Sequence, residues 1–349
     1  MLKLSSITSD SPALQAYQWP PVPAFTALQP DLRAFLELDL LGQTACINHV
    51  ERRSSERGEL LNNYLGTIYS YHYGYADSPC FLRNDIELES RLARAKLVLE
   101  EDLVNHWLPV TPIPQFDDQQ AAANYLREYV DANAALHHPL FDYLRDEAEP
   151  AALMEFLRLE TCRNEIVDDE IALLLCGLQG NMKKAIASNL WDECGNGSLE
   201  KFHTYWLRRL VEQLQDWEQL PQYRASSKPW FSSIISNTFN ALVTRPAYKC
   251  RAYGMFLTTE ARVAPHFSAI MGGLRRTGLD HRDIAVYFDT HMRIDPHHTD
   301  ELLTAFSHQE PALNPVQVAE VVRGAHFAVA AGMAQYGRVL AYFQDKYPA

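Results

Sequence analysis

The chain has 349 residues, 47% of them hydrophobic, and a net charge of −13, enough for one large domain or one domain with a substantial extension. The acidic balance and the lack of any Lys/Arg stripe argue against a nucleic-acid partner, which would need clustered cations against phosphate. Residues 1–30 show no charged segment followed by an apolar core, and the longest apolar run, around 171–178, is too short for a bilayer, so neither a signal peptide nor a membrane span is expected.

Six cysteines (Cys46, Cys80, Cys162, Cys176, Cys194 and Cys250) form no CxxC pair. They read as reduced, mostly buried thiols of a cytoplasmic protein. Glycine is scarce and strand-like alternation is rare, so an all-α fold is the expectation.

In chain order, residues 1–30 carry four prolines and little periodicity, which predicts an irregular arm. Helices follow over about 31–54, 59–71 and 86–106. Tyr69, Tyr71, Tyr73 and Tyr75 form an aromatic group whose default role is packing. The run Pro109-Val-Thr-Pro-Ile-Pro marks the best boundary, dividing an N-terminal arm and helical extension, 1–115, from a core at 116–349. Beyond it, helices are predicted over 117–135 and 140–146. A long helix over 151–176 carries Glu160, Glu165, Asp168, Asp169 and Glu170, and the next runs over 181–193. Gly195-Asn196-Gly197 breaks the chain. Ser198 caps a restarted helix running through Glu200 and His203 to about 214. Further helices cover 230–241, 247–266 with Glu260 inside, 280–306 interrupted at Pro296, and 315–347.

Two stretches carry chemistry. His291, Asp295 and His298 are offset by 4 and 7, which at about 100° per residue returns each to within about 40° of the first. Two imidazoles and a carboxylate on one stripe suit a divalent first-row metal. An exposed polar face or a hydrogen-bonded histidine pair explains the triplet equally well. Glu200 and His203 stand three apart, the Glu-x-x-His arrangement that di-metal bundles project inward. Glu193, seven before Glu200, reads as an extra ligand or a supporting carboxylate; a capping box with solvated charges is the plainer reading of this stretch alone. Glu260 adds weight to both, because it lies among Tyr253, Met255, Phe256 and Leu257, where a carboxylate is costly unless paired or metal-bound.

Asn189-Leu-Trp-Asp-Glu-Cys-Gly-Asn-Gly, then Glu200-x-x-His203, Glu260 and His291-x-x-x-Asp295-x-x-His298, resemble the haem-oxygenase-like di-iron oxidases. The resemblance covers roughly 118–349, beginning at the His138-Pro139-Leu140-Phe141 signal. It implies a haem-oxygenase-like helical bundle. It also implies that Glu200, His203, Glu260, His291, Asp295 and His298 are the catalytic metal ligands, with Glu193 as a supplementary carboxylate. One further ligand is implied from the helix before the 177–180 turn. The spacing points near 166–168, where Val167 cannot ligate; Glu165 is the first choice, with Asp169 and Glu160 behind it. His291 stands where several members have Asp, and Pro296 lies inside the ligand helix.

By that resemblance two Fe(II) ions, with Mn as the alternative, use O₂ as co-substrate. The substrate is a small amino-acid-like or acyl molecule, undergoing N-oxygenation, oxidative decarboxylation or C–C cleavage. Lys249, Arg251, Arg262, Arg208 and Arg209 are candidate substrate-orienting cations, and Tyr205, Tyr253 and Tyr287 candidate hydrogen-bond donors. The N-terminal helices offer a homodimer surface. The competing reading is a metal-independent small-molecule-binding or biosynthetic protein on the same superfold, against which the number of ligand residues speaks.

Overall fold

A computed structural model describes residues 30–73, 86–116, 118–215 and 218–348. The expected irregular arm and Tyr75 lie outside these. The described residues form an all-α bundle, with a single isolated β-bridge and no strand.

The N-terminal segment contains α1 (Pro30–Glu37), α2 (Leu40–Asn48), α3 (Ser55–His72) and α4 (Ile86–Asp102), the last ending in a π turn over Leu103–Trp107. The single helix expected over 31–54 is two, because the Asp39 side chain accepts from the Gly42 amide and starts α2 afresh. Ser54 caps α3 in the same way through the Arg57 amide. Arg57 is buried and donates through Nε to Asp102 at 2.7 Å, tying α3 to α4. Breaking such a pair from one side costs about 3–5 kcal/mol. This segment shares its apolar core with later helices: Leu61, Leu65, Leu99 and Leu103 belong to one buried cluster with Ile234, Leu242, Met255 and Val322.

The remaining helices are α5 (Gln119–Ala132), α6 (Pro139–Asp146), α7 (Pro150–Asn164), α8 (Val167–Leu175), α9 (Gly180–Glu193), α10 (His203–Gln213), α11 (Ile234–Val243), α12 (Lys249–Thr277), α13 (Arg282–Ser307) and α14 (Pro315–Lys346). Helix α12 is central, with α13, α14 and α6 packed on it. Its contact with α14 is backbone to backbone: a Cβ on Gly254 would lie 1.8 Å from the Val321 carbonyl oxygen, and one on Gly324 would lie 1.9 Å from that of Arg251. Only glycine permits that approach.

Three expected boundaries change. The 151–176 helix divides at Glu165 and Ile166 into α7 and α8. The helix expected to end near 266 runs on through Pro265 to Thr277, where Gly278 adopts a left-handed φ of 72°. Helix α13 continues through Pro296 without interruption. The five described cysteines are unpaired; Cys176 is exposed and the others half-buried.

Candidate metal centre

The centre is built where α9 stops. Gly195, Asn196 and Gly197 all have positive φ (58°, 54° and 82°), so the chain reverses rather than continuing as a helix. The reversal is closed by the bridge between Cys194 and Phe202. A Cβ on Gly195 would meet the Lys201 carbonyl carbon at 2.5 Å, so the two arms of the loop touch there. Phe202 keeps an extended ψ of 134°, and α10 begins at His203. Glu193 and His203, ten apart in sequence, therefore face each other, with His203 Nδ1 2.9 Å from Glu193 Oε2.

This geometry corrects the expectation for Glu200. It lies on a one-turn 3₁₀ helix, Leu199–Lys201, and is exposed. Glu-x-x-His puts both side chains on one face only along a continuous helix, and Phe202 breaks that continuity. Glu193, expected as an extra ligand or a supporting carboxylate, stands beside His203.

Helix α13 supplies His291, Asp295 and His298 from one stripe, and α12 supplies Glu260. Two buried groups result: Glu193, His203 and His291, and Glu260, Asp295 and His298. Within each, one nitrogen or carboxylate oxygen per residue lies within 4.8 Å of the others. The His203 and His291 ring centroids are 4.4 Å apart. His298 Nδ1 stands 3.4 Å from Glu260 Oε2 and 3.6 Å from Asp295 Oδ1. Three carboxylates and three imidazoles suit iron or manganese.

Two observations test whether a cation fits. Asp295 is 1% exposed, yet neither of its oxygens has a hydrogen-bond partner among the described residues. Glu193 Oε2 and His203 Nδ1 are 2.9 Å apart but out of line for a hydrogen bond. Orphaned buried carboxylate oxygens are expensive, and a bound cation removes both anomalies.

Charge in the centre is strongly redistributed. Burial pushes the Glu193 carboxyl up, but His203, His291 and His298 outweigh it and hold it at about 2. Burial and His203 press His291 down to about 4. Burial lowers His298, but Glu260, Asp192 and Glu193 together raise it to about 9. Burial, Glu260 and Glu193 push Asp295 well up. Asp295 and His298 are thus pushed toward their protonated forms, and a metal would displace those protons.

The expected first-helix ligand joins neither group. Glu165, the last residue before the α7–α8 break, is ion-paired with Arg224. Glu160 accepts from Asn164 Nδ2 at 3.2 Å, and Asp169 is exposed. The candidate cations are occupied elsewhere: Lys249 Nζ donates to the Val243 carbonyl at 2.7 Å, and Arg251 pairs with Glu320. Arg262 donates to the Ala328 carbonyl at 3.1 Å, Arg208 pairs with Glu212, and Arg209 with Asp283. Tyr253 donates to the Leu302 carbonyl, whereas Tyr287 lines the cavity at the centre.

Sequence reasoning missed three residues. Asp192 Oδ2 lies 3.1 Å from His298 Nε2. Its signal was the adjacent pair Asp192-Glu193, whose side chains differ by about 100° and so face different neighbours. Arg163 and Glu170 line a cavity of about 50 Å³ together with Glu193, Glu260, His291 and Asp295. Val167, Met255, Phe267 and Tyr287 give that cavity apolar walls.

A family model described as "Iron-containing redox enzyme" matches residues 154–333. Two crystal structures of a CADD-like protein of unknown function from Nostoc punctiforme PCC 73102 are similar in fold. The one at 1.35 Å has a TM-score of 0.51 at 13% identity, covering 66% of this chain and 98% of that chain. The one at 2.00 Å has a TM-score of 0.50 at 16% identity, covering 63% and 97%. No curated protein sequence matches the chain. No described helix is long and apolar enough to cross a membrane.

Proposed function

The chain belongs to the iron-containing redox enzyme family, and on that footing we propose that it is an O₂-activating non-haem di-iron oxidase. Its substrate is a small amino-acid-like or acyl molecule, modified by N-oxygenation, oxidative decarboxylation or C–C cleavage. The observation that carries the reading is Asp295, a buried carboxylate with two orphaned oxygens inside a ring of side chains able to hold a metal. Glu193, His203 and His291 would hold one ion; Glu260, Asp295 and His298 would hold the other. Iron bound there supplies the reduction of O₂ and the oxidation of substrate.

The chain's own residues orient and enclose. His291 Nδ1 donates to the Tyr287 carbonyl at 2.7 Å, which leaves Nε2 as the ligating atom. With its proton on Nε2, His298 donates to Asp192 and turns Nδ1 toward Glu260 and Asp295. A carboxylate behind a ligating imidazole fixes its tautomer and raises its basicity. Val167, Met255, Phe267 and Tyr287 limit water at the cavity. The division into an extension at 1–115 and a catalytic core at 116–349 belongs to the same proposal.

The test is anaerobic Fe(II) titration of the metal-free chain, followed by mixing with O₂ in a stopped-flow spectrometer. Two Fe(II) per chain and a transient visible absorption, both lost in Glu193→Ala and His298→Ala, are expected. Iron binding that is substoichiometric, or indifferent to both substitutions, would overturn the reading.

A further inference from the structure

Among the described residues, Glu170 is the one carboxylate at the cavity that joins neither candidate metal-ligand group. It is completely buried. Its Oε2 accepts from Arg163 Nη1 at 3.1 Å, while Oε1 has no hydrogen-bond partner among the described residues. The carboxylate is held from a second side. Tyr73, at the end of α3, donates to Asn240 Oδ1, and the Asn240 amide faces Glu170. The N-terminal segment thus braces this group through Asn240.

The charge count around Glu170 is incomplete. Arg163 is the cation facing it, and Arg163 also faces Glu160. When all three are ionised they sum to −1, and Asp169 adds a further negative charge. A buried carboxylate oxygen of this kind wants an N–H donor, and a positively charged one restores neutrality as well. The cavity of about 50 Å³ is several times the room one water needs.

We propose that Glu170 receives the protonated amine of the substrate, Oε1 accepting from a primary ammonium whose adjoining carbon lies toward the Glu193–His291 and Glu260–Asp295 groups. This deepens, and rests on, the oxidase reading of the same cavity. It selects amines and amino acids over plain fatty acids. A substrate carrying only a carboxylate would place a second negative charge beside Glu170 and gain nothing from Oε1.

The test is calorimetric titration of the full chain, metal-free and loaded with Mn(II), with n-butylamine, n-butanol and butyrate. Wild type is expected to bind n-butylammonium at least about tenfold more tightly than the other two, the ratio that one charge-assisted hydrogen bond supplies. Glu170→Gln, with its Mn(II) stoichiometry and helical circular dichroism unchanged, is expected to erase the preference. Equal affinity for the three probes overturns the proposal. So does loss of a Mn(II) ion in Glu170→Gln, which would make Glu170 a metal ligand. Amine preference without stoichiometric metal binding would overturn the di-iron reading and leave the amine site standing.

Discussion

Replacing Asp295 with Asn separates the stability of the fold from the demands of its centre. In metal-stripped protein Asp295 is a liability: it is 1% exposed, its oxygens accept no hydrogen bond among the described residues, and Glu260 and Glu193 repel its charge. An unsatisfied buried polar group costs about 1–3 kcal/mol. Asn has nearly the same shape, no charge, and two N–H groups within reach of the Glu260 side. The stripped Asp295→Asn chain should therefore be more stable than stripped wild type by about 1–3 kcal/mol. With a urea slope of about 3 kcal/mol/M, the midpoint rises by about half a molar. Metal inverts the order. Wild type gains about 2.7 kcal/mol when free metal is a hundred times its dissociation constant, and the variant, short of one anionic ligand, gains much less. Urea unfolding followed by circular dichroism, in EDTA and then in Mn(II), reads both. A stripped variant less stable than wild type, with equal gains from metal, would refute the reasoning and make Asp295 a structural residue.

Other outcomes follow from the same geometry. Asp192→Asn should weaken metal affinity by about 10–100-fold while two ions still bind, because Asp192 holds His298 rather than the metal; competition with a chromophoric chelator measures it. Glu200→Ala should leave iron stoichiometry unchanged and shift stability by no more than about 0.5 kcal/mol, since Glu200 is exposed. Gly254→Ala should cost about 1–3 kcal/mol or more in thermal unfolding, because its Cβ would press on the Val321 carbonyl. For pH, His298 is raised from 6.5 to about 9, so its contribution is complete below pH 6.5 and is lost as pH rises through 9. Asp295, also raised, acts in the same direction. Stripped protein should thus lose up to about 3 kcal/mol from His298 between pH 6.5 and 9, while metal affinity rises as ligand protons leave. Melts at the two pH values, with and without metal, should show opposite slopes.

Much of the site was legible because its signals are local. His291, Asp295 and His298 share a stripe by spacing alone, and Glu260 stands out as an acid in an apolar helix. The Gly-Asn-Gly break was readable as a break. Its consequence was not: which carboxylate meets His203 depends on positive φ at three residues and an extended Phe202, and no pattern of residue types encodes the direction in which the chain leaves. Glu165 failed for a different reason. Its partner, Arg224, is 59 residues away, and a long-range ion pair removes a carboxylate from consideration without leaving a mark near it. The end expected near 266 and the interruption expected at Pro296 both failed. Pro265 and Pro296 sit inside α12 and α13, where packing against neighbouring helices outweighs one missing amide.

The two candidate ligand groups are spaced by helix geometry rather than by loops. Along α13, His291 serves the Glu193 group while Asp295 and His298 serve the Glu260 group. Four residues of helical rise separate His291 from Asp295 by about 6 Å. The end of α9 spans the same pair of groups from the other side, since Glu193 meets His203 and the adjacent Asp192 meets His298. Two rigid elements thus each touch both groups, and neither group can move far without carrying the other. The Gly195–Gly197 reversal is what makes this arrangement possible: it ends α9 immediately after Asp192 and Glu193, and returns the chain through the Cys194–Phe202 bridge in time for His203. A residue that forced α9 to continue would carry His203 away from Glu193 and leave the Glu193 group short of one imidazole.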